Sequence, residues 1–248
     1  MAGHLDVRVY AELNDFLQRE SRGLTLRRPF QPHQTVKDVL EAMGIPHTEV
    51  DLIVVNGKPE DFTHRPTSGD RIAAYPLFEA LDISSTTRLR PVPLRDPRFV
   101  VDVNIGRLAR LLRLLGFDVW WSSDADDETL VDISRAQRRI LLTRDRALLK
   151  RSIVTHGVFV HSDDPEEQTL EVIRRLDLSE RLAPFTRCLL CNGELVAVRK
   201  EELIDRLEPL TRRYYTDFSR CAHCGRIYWP GSHHDRMLHL VERFREQL

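Results

Sequence analysis

Phe99-Val-Val-Asp102, Phe117-Asp-Val-Trp-Trp121 and Ile140-Leu-Leu-Thr-Arg-Asp145 are the stretches that decide the fold. Each reads as a short buried strand, and each runs out at or shortly before an acid. Between the first two, Ile105, Leu108, Leu111, Leu112 and Leu115 recur at helical spacing, with Asn104 as the expected cap and Gly116 as the stop. Arg107, Arg110 and Arg113 fall on the other faces of that helix. A second helix is predicted over 126–138 and a short one over 145–151. Gly157-Val-Phe-Val-His161 is a fourth strand, and a helix over 165–176 opens with Asp163-Asp164-Pro165. Strands alternating with helices at this spacing predict an α/β segment over 98–180, a parallel, doubly wound sheet flanked by helices.

In such a sheet the carboxyl ends of the strands share one edge, where ligands bind. Acids distant in sequence would meet there, and clustered carboxylates repel one another unless a cation joins them. The matching chemistry is attack on a phosphodiester assisted by Mg²⁺ or Mn²⁺. Asp102, Asp127 and Asp145 are the candidate ligands, with Asp163 or Asp164 as a fourth acid. Each also has an ordinary role to set against this, because Asp at a helix start is a common cap. Capping is the favoured reading for Asp163 and Asp164, and capping or simple solvation for Asp124 and Asp126. Asp102 is sharper: Asp suits a strand end poorly, and Asn104 already offers a cap. Asp145 is read in the same way. Arg107, Arg110 and Arg144 are candidate phosphate contacts near the same edge.

Cys188-Leu-Leu-Cys191 and Cys221-Ala-His-Cys224 use all four cysteines of the chain. Two Cys-x-x-Cys pairs can place four thiolates on one structural Zn²⁺, which leaves that metal no open position for catalysis. Two disulfides or redox pairs are the competing reading, and structural disulfides are disfavoured without a secretory signal. The insert between the pairs is expected to hold a helix over 200–207, and Asn192-Gly193 and Gly225 supply turns. Arg226-Ile-Tyr-Trp229 reads as a strand, whose rings pack on the ribbon or stack on bases. Gly231-Ser-His-His-Asp235 reads as a loop whose His233 is a candidate phosphate contact or proton-transfer group, with a plain surface histidine as the favoured reading, and 238–244 reads as a terminal helix.

Ahead of these, residues 1–83 give strands at Leu5–Tyr10, Gly23–Phe30, Asp51–Asn56 and Arg71–Tyr75, with a helix from Thr35 to Met43. This β-β-α-β-β order resembles the β-grasp, ubiquitin-like (α+β) fold, and is most similar to sulfur-carrier proteins. Those end in a free Gly-Gly, whereas here Tyr75-Pro76 runs on into more chain, so carrier chemistry is disfavoured and a binding or regulatory role is expected. Residues 84–97 read as a proline-rich linker. The formal net charge of −1 excludes a global basic footprint for nucleic acid. No stretch reaches the roughly 18 apolar residues of a membrane span. The first residues lack the apolar core of a signal peptide, which points to a soluble, cytoplasmic protein.

Taken in order, the run from Phe99 to Asp118, Asp126-Asp-Glu, Arg139 to Asp145, Asp163 to Gln168, Thr186 to Leu195, Cys221 to Trp229 and Gly231-Ser-His233 resemble the Mut-7 C-terminal RNase domain family. The likeness spans roughly 98–238. It implies a PIN-like nuclease fold with an attached zinc ribbon over 181–248, and RNA as the substrate. The N-terminal segment is similar to the ubiquitin-like domain fused to some bacterial members, which implies a protein partner. One departure is Val103-Asn104-Ile105, where many members carry a bulkier Met-Leu stretch. The expected function is therefore a metal-dependent ribonuclease. The alternatives are a non-catalytic RNA- or protein-binding adaptor on the same scaffold, or a sulfur-transfer accessory factor.

Overall fold

The structure, a computed structural model, describes residues 3–76, 89 and 97–248. The predicted linker 84–97, apart from Leu89 and Pro97, and the boundary at 83 lie outside the described residues. The N-terminal segment is a mixed five-stranded sheet built from β1 (Gly3–Val9), β2 (Leu26–Phe30), β3 (Val50–Val55), β4 (Lys58–Glu60) and β5 (Arg71–Pro76), crossed by α1 (Val36–Ala42). The strand order is β2-β1-β5-β3-β4. Central β1 and β5 run parallel, with Val7 opposite Ile72, and the other ladders are antiparallel. Alternation puts Leu5, Val7 and Val9 in the core with Val36, Val39 and Leu40 of α1. Thr35 caps α1 in a reciprocal capping box with Asp38, whose carboxyl is held below its usual range by the Thr35 N–H and hydroxyl. The short strand β4 was not part of the sequence reading. It exists because Asn56 (φ 50°) and Gly57 (φ 84°) turn the chain straight back on β3, as a primed hairpin turn requires.

Beyond Pro97 the elements alternate as expected. They are β6 (Phe99–Val101), α2 (Gly106–Leu114), β7 (Val119–Trp120), α3 (Asp127–Gln137), β8 (Ile140–Thr143), α4 (Arg146–Leu149), β9 (Gly157–Phe159) and α5 (Pro165–Arg175). β6 and β7 pair in parallel, as do β8 and β9. The ribbon follows: β10 (Leu195–Val198), α6 (Pro209–Tyr214), β11 (Phe218–Cys221) and β12 (Ile227–Tyr228), then the long α7 (Ser232–Gln247). Its three strands are antiparallel in the order β10-β11-β12. Among the described residues no helix is long and apolar enough to cross a membrane.

Several local expectations are corrected. Asn104 does not cap α2: it lies inside a 3-10 turn, Val103–Ile105, capped by Asp102 itself. The segment 200–207 is two 3-10 turns, Lys200–Glu202 and Ile204–Arg206, because its apolar residues Leu203 and Leu207 turn inward onto Phe218. Residues 232–235 are not a loop but the first turn of α7. Arg113 is not on an outer face; it is 4% exposed.

The chain forms two compact units, Met1–Asp96 with Asp126–Val160, and Pro97–Ala125 with His161–Leu248. The predicted 98–180 segment is thus shared between them. In the first unit the β-grasp layer meets α4 and β9. The Arg146 guanidinium lies 5.1 and 5.0 Å from the ring centroids of Phe16 and Phe159. Lys150 Nζ donates to the Glu41 carbonyl at 2.6 Å, and the Phe159 N–H donates to Glu49, which is fully buried. In the second unit α2 packs on α5, and Arg243 of α7 pairs with Glu166 of α5 at 2.7 Å.

Candidate functional site

The sulfur centre is the best-defined site. Cys188 and Cys191 leave one turn, Cys221 and Cys224 the other, and all four Sγ atoms lie within 4.8 Å of one another. The pairs Cys188–Cys224 and Cys191–Cys221 are 3.7 and 3.4 Å apart. A tetrahedral zinc with Zn–S bonds of about 2.3 Å sets its sulfurs about 3.8 Å apart. The cluster therefore fits zinc, and none of the four cysteines is disulfide-bonded. Burial opposes a thiolate at Cys188, but the Tyr228 hydroxyl at 3.0 Å and the N–H groups of Cys191 and Leu190 outweigh it and bring the thiol down to about 6. Burial, reinforced by the neighbouring sulfurs, pushes Cys191 up to about 12. Packing thiols this closely makes successive ionisation unfavourable, which is the conflict a divalent cation relieves.

The turns are shaped for this. Cys188 N donates to Gly193 O and Cys221 N to Arg226 O, and Gly225 (φ 69°) closes the second turn. A Cβ on Gly193 would sit 2.8 Å from Cys221 Sγ and 2.7 Å from His223 Cβ. The first turn is also fastened to the α/β layer. Asn192, at φ 69°, accepts from Val119 N at 2.9 Å and donates to Asp118 at 2.7 Å. Arg113 donates to the Val119 carbonyl through Nε and Nη2 (3.1 and 2.9 Å), and to the carbonyls of Leu189 and Leu190 through Nη1. Burial pulls the Arg113 pKa down, while Cys188, Cys191 and Asp118 push it back up. Neither Arg113 nor Asn192 was singled out from sequence. Asn-Gly after the second cysteine reads as a turn, and helical spacing alone puts Arg113 on an outer face, so its reach onto the cysteine turn required geometry.

The carboxylates are placed one by one. Asp102 is 6% exposed at the end of β6, and its Oδ1 accepts from Asn104 N (3.0 Å) and Nδ2 (3.2 Å). Asp145 follows β8, is exposed, and caps α4, with Oδ1 accepting from Ala147 N (2.7 Å) and Leu148 N (3.3 Å). Asp127 opens α3 and pairs with Arg151 at 3.1 Å. Asp126 and Asp164 are the caps expected of them, accepting from Thr129 N and from Glu166 N and Glu167 N. Asp124 bonds the Ser122 hydroxyl, and Asp163 is exposed beside Asp164. Among the described residues, the cysteines are the group of three or more metal-ligating side chains that converges within 4.8 Å, and the carboxylates are not in it.

Within the second unit a groove of about 1810 Å³ runs along α2, the ribbon and the first turn of α7. Arg107, Arg110 and His233, three of the predicted phosphate contacts, line it together. Arg144, the fourth, is exposed on the turn between β8 and α4. The groove wall also holds Trp121, Arg226 and Trp229, which the sequence reading did not join to the arginines. Asn104, the residue that donates to Asp102, is part of the same wall.

Residues 97–241 match the Mut7-C RNAse domain, and residues 2–82 match the Mut7-C ubiquitin domain. The chain belongs to the Mut7-C RNAse domain family. No curated protein and no solved structure matches it. In Mut7-C terms the RNAse segment carries Asp102, the groove and the cysteine centre, and the ubiquitin segment is the β-grasp layer. The Mut7-C assignment points to a nuclease-like role. It does not choose among the acids.

Proposed function

We propose that the protein is a metal-dependent ribonuclease that hydrolyses RNA phosphodiesters. The observation that carries this reading is Asp102, a carboxylate buried at the end of β6 whose turn forms the wall of an arginine-lined groove. Asn104 already supplies two donors to Oδ1 of this carboxylate, and a divalent cation would add the opposite charge that a buried acid favours. Asp102, Asp127 and Asp145 would hold Mg²⁺ or Mn²⁺, with Asp163 or Asp164 as a further acid. The metal, when bound, would lower the pKa of a water and offset charge on the scissile phosphate. The protein's own part is to place phosphates: Arg107 and Arg110, three residues apart on α2, project from one helix face into the groove. The zinc centre keeps the ribbon wall of the groove in shape, and the β-grasp layer is a site for a protein partner. We place the domain limits at 1–83, 98–180 and 181–248, and the location in the cytoplasm.

The capping bonds of Asp126, Asp145 and Asp164 are what a non-catalytic RNA- or protein-binding adaptor would also show. Metal-dependent cleavage of labelled RNA, lost in a folded Asp102→Asn variant, separates the two. Bound but uncleaved RNA with every metal tried would replace the nuclease by the adaptor.

A further inference from the structure

We propose that the groove along α2, the ribbon and α7 is a track for single-stranded RNA, holding phosphates on Arg107, Arg110 and Arg226 and bases on the rings of Tyr214 and Trp229. The choice of RNA rests on the nuclease reading; the choice of a single strand rests on the groove.

The volume, about 1810 Å³, exceeds the roughly 300–1,000 Å³ of small-molecule pockets and fits a polymer segment. The wall carries six arginines (107, 110, 113, 187, 226 and 236) against two aspartates (163 and 217). Arg113 is committed to backbone carbonyls, and Arg187 reaches Asn192 O and Glu194. Arg107, Arg110 and Arg226, by contrast, are exposed and make no ion pair or side-chain hydrogen bond among the described residues. Three unneutralised guanidinium groups on one concave surface call for a polyanion. The first of them follows directly on Gly106, at the start of the nine-residue α2, where the helix dipole adds to the attraction. That helix start has no side-chain cap.

The rings argue for unpaired bases. Tyr214 is 67% exposed and Trp229 39% exposed, both on the groove wall. Exposed aromatic faces stack on bases splayed out of a helix, whereas an RNA duplex presents phosphates and 2′-hydroxyls and hides its base faces. Trp121 is different: it lies against Gly106, where a Cβ would be 2.5 Å from the ring, so it shapes the floor beneath α2. The track passes Asn104 and Asp163, which brings a bound strand to the turn of Asp102.

The test is fluorescence anisotropy with the full-length, zinc-loaded chain and no added Mg²⁺ or Mn²⁺, so that binding is read without cleavage. The probes are a labelled 12-nucleotide oligouridine, a hairpin duplex without overhang, and poly-glutamate as competitor. The track predicts at least tenfold tighter binding of the single strand than of the duplex. Arg107→Ala with Arg110→Ala should weaken single-strand binding at least tenfold and flatten its log–log salt dependence by about 1.4, at roughly 0.7 per lost phosphate contact. Tyr214→Ala should weaken it about fivefold or more without changing the salt slope. Arg226→Ala, on the exposed ribbon, gives a third variant with little structural risk. Unchanged affinity and slope in all three variants, with zinc content and circular dichroism intact, would overturn the track. Equal binding of duplex would overturn the single-strand choice, and displacement by poly-glutamate at equal charge concentration would point to an acidic protein partner instead. Cleavage, read separately with added metal, bears on the nuclease reading and not on the track, which is judged on the arginine and tyrosine variants alone.

Discussion

Replacing Arg113 should loosen the zinc centre from the α/β layer. Its guanidinium serves three backbone carbonyls, those of Val119, Leu189 and Leu190, with contacts of 2.9 to 3.3 Å. A buried acceptor left without a donor costs about 1–3 kcal/mol. Val119 is fully buried and accepts two of the bonds, so about 2 kcal/mol is expected there. Leu190 is 61% exposed, so its carbonyl can recover water and contributes little, and Leu189 lies between the two. Lost packing of the aliphatic stem adds about 1 kcal/mol. Arg113→Met, which keeps most of that stem, should therefore cost about 2–3 kcal/mol, and Arg113→Ala about 3–4. Arg113→Lys should fall between Met and wild type, since one ammonium cannot span the fork. Four thiolates on one zinc leave net negative charge, so losing the adjacent cation should also speed zinc release. The assay is urea unfolding followed by tryptophan fluorescence. Trp120, Trp121 and Trp229 are the three tryptophans of the chain, and all lie in the Pro97–Ala125 with His161–Leu248 unit. Release of zinc to a colorimetric chelator is followed in parallel. A loss below about 0.5 kcal/mol in Arg113→Ala, with unchanged zinc release, would refute the reasoning.

Other expectations are as direct. Stripping zinc with a strong chelator should abolish the cooperative tryptophan transition, and adding zinc back should restore it; a transition unmoved by chelation would rule out a structural metal. Glu171 is opposed by burial but held below its usual range by the His161 ring, the His161 N–H and the Ser162 N–H. Its stabilisation is therefore fully present above pH 4.5, its unfolded value, and lost as pH falls through its lower folded value. Glu171→Gln should cost about 1–2 kcal/mol at pH 7, with the gap to wild type closing below pH 4.5; a gap that is constant with pH would contradict this. Gly116→Ala should destabilise the same unit by more than about 2 kcal/mol. The position has φ 97°, and a Cβ there would meet the Ala183 carbonyl oxygen at 2.2 Å. A thermal midpoint within a degree of wild type would show that the loop yields.

The sequence carried the elements better than their ends. Ile140–Thr143 came out residue for residue because four apolar or β-branched residues are bounded by Arg139 and Arg144. The helix after Thr35 was legible from its periodicity, but the reciprocal capping box of Thr35 with Asp38 required geometry. Asn104 misled because Asp and Asn two residues apart are equally good caps, and only backbone direction decides which one the turn uses. The hairpin strand β4 was hidden because Lys58-Pro-Glu60 has no strand-like composition, and it pairs only because the Asn56-Gly57 turn delivers it. The four cysteines were legible as a metal centre from spacing alone. The groove was not, because Arg107, Arg110, Tyr214, Arg226 and Trp229 are spread over more than a hundred residues and share no periodicity.

The measurement that bears most directly on the nuclease reading is cleavage of end-labelled RNA by the purified chain with Mn²⁺, Mg²⁺ or EDTA, beside Asp102→Asn and Asp145→Asn, both variants checked for fold by circular dichroism. The account predicts cleavage that needs added metal and disappears in both folded variants. Equal cleavage by all three proteins, or none by wild type at any metal while RNA stays bound, would contradict it.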